Sequence, residues 1–413
     1  MVIRIYTAIL YHWTFFQVKD ILKYIFNFFE MNILSIWIGK TISFIIKLFH
    51  LGSGETWSGE IILRLNANFL NWSSKKLDKG IIVLSGTNGK TTTALLIASI
   101  LEKAGFSVLH NATGANLLNG IASIFITNFD LFGRLKNDIA VLEVDEANLP
   151  KLLKYITPSA ILLLNLSRDQ LDRYGEVEIM FEKWKEALVG LSKKTNLILN
   201  KDDRRVSSLA NNFAGNISFF TLEQQQNWPF PLLGQYNQYN TLAAIEVAKT
   251  MGVSYEIIIQ TLNEFKPAFG RGEDFDYNGR KLKMFLAKNP ASFNVNLKMI
   301  IENLNNSSAI LLILNDNIPD GRDVSWIYDI HSTLLTNVCK DKKIFVSGKR
   351  HHDMALRLKY AGILYKNIWH SPDVEKMIQT MIQQTNDGDL CLILPTYSAM
   401  LESRKIICGK SIL

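Results

Sequence analysis

One run of eight residues, Gly86-Thr87-Asn88-Gly89-Lys90-Thr91-Thr92-Thr93, constrains this chain more than any other feature. A short apolar stretch at residues 81–85 leads into it. A helical pattern follows over residues 91–104, with Leu95, Ile97, Ala98, Ile100 and Leu101 at helix-like spacing. Strand, glycine turn and helix together form the geometry in which backbone N–H groups converge on an anion. The glycines let the backbone approach without a Cβ, and the helix N-terminus adds a favourable dipole. In such a cradle Gly86, Thr87, Asn88, Gly89 and Thr92 surround the phosphates. Lys90 reaches the β- and γ-phosphates, and Thr91 offers its hydroxyl to Mg²⁺. The strict form of this loop has a glycine at position 84, where this chain has Leu84, so the glycine spacing is shorter here.

The surrounding pattern predicts an α/β fold. Buried parallel strands are expected at residues 138–144, 160–166 and 196–200, with helices between them such as residues 177–191. A helix is expected at residues 241–251, closed by Gly252. After Pro267 the pattern changes to a hairpin over residues 274–287, turning on Asn278-Gly279, a type I′ signal. Strands then recur at 309–314, 343–347 and 390–394, with helices at 354–360 and 374–384. The expected organisation is an apolar, amphipathic segment at 1–50, a nucleotide-binding unit at 51–270 and a smaller Rossmann-like α/β unit at 271–413.

In open α/β sheets ligands bind beyond the carboxyl ends of the strands. The strand ending at Val144 delivers Glu143, Asp145 and Glu146 to that edge, and Glu143 is the expected metal ligand. The polar run at 165–176, which contains Asp169, Gln170 and Arg173, should line the same crevice.

Composition narrows the setting. A chain that is 48% hydrophobic and 20% charged can bury a core and is not a disordered polymer. The net charge of +7 comes without a long Lys/Arg block. It therefore suits anionic nucleotides or phospholipids, and no nucleic-acid partner is expected. The three cysteines, Cys339, Cys391 and Cys408, make neither a disulfide framework nor a Cys-x-x-Cys metal pair, which fits a reducing, cytoplasmic setting. His351 and His352, beside Arg350, read as surface or phosphate-loop residues rather than metal ligands. Residues 1–50 are rich in apolar side chains, but charges interrupt them, and the longest uncharged run is too short to span a bilayer. The stretch 32–50, with Lys40 and Lys47, reads as a core helix or a membrane-surface helix. Met31 offers a second start, which would place residues 1–30 outside the native protein.

These residues carry a resemblance. Residues 86–93, Glu143, the loop 169–173 and the run Gly234-Gln235-Tyr236-Asn237-Gln238-Tyr239-Asn240 resemble the central domain of the Mur ligase family. The resemblance implies that Asn237 and Asn240 help seat ATP, and that Arg271, at the domain junction, contacts nucleotide. Residues 111–121, Gln170, and the stretches 266–271, 287–290, 315–329 and 347–363 are similar to the MurT subgroup. That subgroup implies ATP-dependent phosphorylation of the D-glutamate α-carboxylate in the lipid II stem peptide, with ammonia then attacking the acyl phosphate. It also implies a GatD-like class I glutaminase partner that supplies the ammonia, because no cysteine here sits in a nucleophile elbow. An aspartate of this chain would complete the partner's Cys-His pair. Asp323 and Asp329 both fit, with Asp329 the preferred choice. Members of the subgroup usually insert a four-cysteine zinc ribbon; residues 220–231 are short and cysteine-free here, so no zinc is expected. Two other readings stand beside this one. One is a free-standing Mur or folylpolyglutamate-type amino-acid ligase; the other is a P-loop protein whose ATPase only drives binding or assembly.

Overall fold

The computed structural model describes residues 31–49, 56–111, 115–166, 177–224, 228–267 and 270–409. The loop bearing Asp169, Gln170 and Arg173, residues 112–114 of the 111–121 stretch, Phe269 and residues 1–30 lie outside the described residues.

Two six-stranded sheets organise the described residues. In the first, β1 (Gly80–Ser85), β2 (Val108–His110), β3 (Ile139–Glu143), β4 (Ala160–Leu163), β5 (Asn196–Asn200) and β6 (Asn216–Phe220) lie in the order β2-β3-β1-β4-β5-β6, all parallel. The central strands are continuous apolar runs because helices cover both faces; every residue of β3 and β4 is buried. The order reverses at β1. The turn leaving β1 therefore falls between the carboxyl ends of β3 and β4, where a crevice must open. Register fixes this, with Leu84 opposite Glu143 and Ser85 opposite Leu163.

In the second sheet β7 (Arg271–Tyr277), β8 (Arg280–Phe285), β9 (Ala309–Ile313), β10 (Lys343–Ser347), β11 (Ile368–Ser371) and β12 (Leu390–Pro395) are ordered β11-β10-β9-β12-β8-β7. Only β7 runs antiparallel, paired to β8 through the expected hairpin. Asn278 and Gly279 both take positive φ, 46° and 77°, as a type I′ turn requires.

Two helix starts differ from expectation. The helix expected from residue 241 begins at Gln235, directly after Gly234 (φ 90°). Its first turns are Gln, Tyr and Asn, a polar run with no apolar period to reveal a helix. The helix expected from residue 354 begins at His351 for the same reason. Strands β2, β6 and β11 carried no signal either; they are short strands at or next to the sheet edges.

Helix α1 (Met31–Leu48) is half core and half surface. Ser35, Ile36, Gly39 and Ile46 are buried, and a Cβ at Gly39 would meet Ile126 at 2.8 Å. The opposite stripe, Trp37, Phe44, Ile45 and Leu48, is exposed. The core reading thus holds for one face of this helix, and the other face is apolar and exposed. Among the described residues no helix is long and apolar enough to cross a membrane.

Candidate functional site

The glycine-rich turn is held by its neighbours before any ligand arrives. Asn88 N–H donates to Asn165 Oδ1 at 2.9 Å, and Asn165 Nδ2 donates back to Asn88 O at 2.9 Å. Thr87 N–H donates to Asn165 O at 3.1 Å. One residue just past β4 thus fixes the turn after β1. Gly89 ends the turn at φ 89°, and a Cβ there would lie 2.2 Å from Asn240 Oδ1. Gly89→Ala should therefore cost about 1–3 kcal/mol from backbone strain alone. It should also displace Asn240, so both the denaturant midpoint and nucleotide affinity are expected to fall. An unchanged midpoint would show that the turn does not need glycine.

Lys90 is buried within the loop. Its ammonium donates to Gly86 O and to Thr87 O at 3.4 Å, and pairs with Glu146 Oε2 at 3.1 Å. The two side chains are 7% and 5% exposed, so this is a desolvated ion pair. Glu146 follows β3, and its own backbone carbonyl accepts from Trp184 Nε1 at 2.9 Å. The sequence had placed Glu146 at this edge without a role.

Glu143 ends β3. Its backbone exchanges two hydrogen bonds with Asn111, each 2.8 Å. Its carboxylate is buried, yet among the described residues Oε2 has no hydrogen-bond partner. Nearby, His110 Nε2 is likewise buried without a partner among the described residues. Burial lowers the His110 pKa and so favours the neutral ring, against the pull of the Glu143 charge. A buried, unpartnered carboxylate oxygen is costly unless a cation completes it. Glu143 thus has the donor chemistry a hard divalent cation requires. Thr91, the other expected ligand, is partly exposed, and its hydroxyl accepts from Arg271 Nη2 at 3.1 Å.

Arg271 begins β7, so this contact joins the second sheet to the helix that opens at Lys90. Burial lowers the Arg271 pKa and the Glu143 charge opposes that shift, placing the two groups within each other's field. Asn237 and Asn240 are both buried on the helix Gln235–Thr250. Asn240 Nδ2 donates to Asn237 Oδ1 at 3.1 Å, and Asn237 Nδ2 donates to Leu233 O at 2.7 Å. A cleft results, lined on one side by Asn88, Gly89, Thr92 and Asn240, and on the other by Arg271 and Phe285 of the second sheet. The structure thus brings Lys90, Thr91, Thr92, Glu143, Asn237, Asn240 and Arg271 to one junction.

Asp323 and Asp329 lie apart from these contacts, both exposed, on the segment after β9. Asp323 accepts from Ser325 N–H at 2.8 Å, which holds its carboxylate below the usual range. Asp329 ends a 3₁₀ turn, Ser325–Asp329, anchored by buried Trp326 and Ile327. Buried Arg357 pins that turn, donating to Ile327 O at 2.8 Å and to Ile330 O. Cys339 and Cys391 are buried; burial pushes the Cys339 thiol up to about 12 and also raises that of Cys391. Thiols so raised are poor nucleophiles at neutral pH.

Comparison with known proteins follows the same division. Residues 84–228 match the Mur ligase middle domain, and residues 286–400 match the MurT ligase C-terminal family. The chain is 28% identical to the lipid II isoglutaminyl synthase (glutamine-hydrolyzing) subunit MurT of Streptococcus pneumoniae, over 91% of this chain and 96% of that protein.

In both of its units the chain is similar to the MurT branch of the Mur ligase family.

The MurT subunit of Staphylococcus aureus agrees, 29% identical over 84% of this chain and 91% of that protein. Among solved structures, MurF from Acinetobacter baumannii superposes with a TM-score of 0.67 at 17% identity, covering 84% of this chain and 80% of that one. MurF from Thermotoga maritima, solved in complex with ADP, gives 0.66 at 16%, covering 84% and 83%. At those identities the likeness establishes the Mur ligase fold. The likeness to the MurT ligases over most of both chains makes the chain a ligase.

Proposed function

We propose that this MurT-branch ligase is the ATP-using subunit of a lipid II isoglutaminyl synthase, amidating the α-carboxylate of D-glutamate in the lipid-linked stem peptide. The observation that carries this reading is the junction cleft. There a glycine-bounded loop that carries a buried ammonium meets an arginine from the second sheet, and within that arginine's field lies a buried carboxylate whose Oε2 has no partner among the described residues. The match of residues 286–400 to the MurT C-terminal family selects the branch.

A carboxylate is a poor electrophile, and phosphorylation gives it a leaving group. In the proposed sequence a substrate carboxylate oxygen bonds to the γ-phosphorus of ATP and ADP departs. Ammonia then bonds to the acyl carbon, phosphate leaves, and nitrogen sheds a proton. Lys90 and the loop amides hold the β- and γ-phosphates in line and compensate charge as it shifts to the leaving oxygen. Mg²⁺, when bound, would supply further charge neutralisation, with Glu143 and Thr91 as its protein ligands. Arg271, released from Thr91, would meet the nucleotide, and Asn237 and Asn240 would shape its seat. The units 51–270 and 271–413 would then divide the work, the first binding nucleotide and the second closing the cleft and carrying the partner's surface. The test is to incubate purified protein with ATP, a D-glutamyl lipid-linked substrate and ammonium. Amidated product is expected; condensation with an amino acid instead, or ATP turnover without acyl transfer, would overturn the assignment.

A class I glutaminase of the GatD kind is the proposed ammonia source. The exposed, firmly anchored Asp329 supports its role in completing that partner's catalytic Cys-His pair, and Asp323 is the alternative. Asp329→Asn should lower glutamine-driven amidation by about 10²-fold or more, through loss of charge beside the partner's histidine. Ammonium-driven amidation should stay within about twofold. Equal loss in the two assays would reject the role.

A lipid-borne substrate places the reaction at the inner face of the plasma membrane. The exposed stripe Trp37, Phe44, Ile45 and Leu48 supports this site of action, since an apolar face can enter the headgroup boundary. Wild-type protein should co-sediment with anionic vesicles, and Phe44→Glu/Leu48→Glu should remain in the supernatant. Identical partitioning of both would remove the stripe from the account.

A further inference from the structure

The two histidines at the start of the helix His351–Tyr360 gain a third companion that sequence distance concealed. His370, on β11, comes to them because β11 pairs with β10, the strand that feeds that helix; Val346 stands opposite His370. One ring nitrogen from each of His351, His352 and His370 lies within 4.8 Å of the others. The ring centroids are 4.0, 5.7 and 5.3 Å apart.

We propose that His351, His352 and His370 form a binding site for a divalent transition metal of the zinc type. Zn–N bonds of about 2.0–2.1 Å in tetrahedral geometry set ligand nitrogens roughly 3.3 Å apart, so modest side-chain rotation closes the set. Three imidazoles are soft enough to select such a metal over Mg²⁺ or Ca²⁺, and a water would complete the fourth position. The orientation of the rings supports this assignment. Nδ1 of His351 faces Gly348 O at 3.1 Å. A carbonyl only accepts, so Nδ1 carries the proton and the Nε2 lone pair is left for a ligand. This is the backbone-tethered arrangement that metal-bound histidines use. The Tyr365 hydroxyl lies 2.8 Å from Nε2 of His370 and orients that ring. The neighbouring positive charge is already compensated: Arg350 pairs with Asp353 at 2.7 Å and with Asp316 at 3.2 Å. Three imidazole rings packed this closely gain little from each other in water. A shared cation gives the arrangement a net attraction and ties the helix to β11.

The site lies at the carboxyl end of the second sheet, is separate from the Mg²⁺ proposed at Glu143, and does not depend on the reaction assigned above. The test uses the full chain, stripped with chelator and kept in excess Mg²⁺. Zn²⁺ is titrated by calorimetry, and Co²⁺ is followed by its visible absorption. One equivalent of Zn²⁺ should bind with Kd in the micromolar range or tighter, and Co²⁺ should give the intense bands of a four-coordinate site. His352→Ala, at an exposed position, and His370→Ala should each weaken binding by at least tenfold. Cys408→Ser, at the exposed thiol, should leave binding unchanged. Absence of a stoichiometric equivalent overturns the proposal. So does binding that survives both histidine substitutions, or binding that is lost with Cys408→Ser.

Discussion

Lys90→Met is expected to reduce ATP-dependent amidation by about 10²–10³-fold even at saturating ammonium, the usual loss when one preorganised charge-stabilising donor is removed. The same substitution leaves Glu146 buried without its partner 3.1 Å away. Breaking a buried pair from one side costs about 3–5 kcal/mol, because the remaining charge is uncompensated. Lost activity in Lys90→Met alone could therefore reflect a weakened fold. The double variant Lys90→Met/Glu146→Gln separates the two effects. Removing both charges should return the melting temperature close to that of the wild type, since a neutral pair of similar volume carries no stranded charge. Activity should stay down, because no ammonium is left to meet the phosphates. Recovery of amidation in the double variant would show that Lys90 acts only as structural ballast for Glu146.

Glu143→Gln should produce the opposite balance. The wild-type carboxylate already stands buried with an unpartnered oxygen, so the neutral amide removes a desolvated charge from the apo protein. The melting temperature without ligand should hold or rise slightly. Losing a metal ligand removes several kcal/mol of charge stabilisation in the transition state, or about 10²-fold or more in rate. The ligand response should change as well. Ligand stabilisation grows as RT ln(1 + [L]/Kd), so Mg²⁺ with nucleotide should raise the melting temperature of the wild type clearly and that of Glu143→Gln much less. Equal shifts in the two proteins would exclude Glu143 from the cation site.

Much of this was readable in the sequence, for a definite reason. The strand–turn–helix around Gly86–Thr93 is local: an apolar run, two glycines and a helical period lie within a span that one element pair occupies. The hairpin at Asn278-Gly279 was readable on the same ground, since both residues tolerate positive φ. The Gln235–Thr250 helix was only half readable. Its amino end is a run of amides and tyrosines with no hydrophobic period, and its buried Asn237 and Asn240 bond to each other and to Leu233 O, partners that only the folded chain supplies. Strand β11 was invisible because four residues, Ile-Trp-His-Ser, become a strand only beside β10. Missing it hid His370 from the histidine pair.

By itself the sequence determined the phosphate-loop type, the α/β alternation and the set of polar groups at the strand ends, because each is written in contiguous residues with a fixed period. Which of those groups meet was decided by tertiary structure alone. The reversal of strand order at β1 put Asn165 against the loop and Glu146 against Lys90. The docking of β7 brought Arg271 to Thr91 across 180 residues of chain. Pairing at that range depends on which buried surfaces pack together, and a linear pattern of residue types does not carry that information.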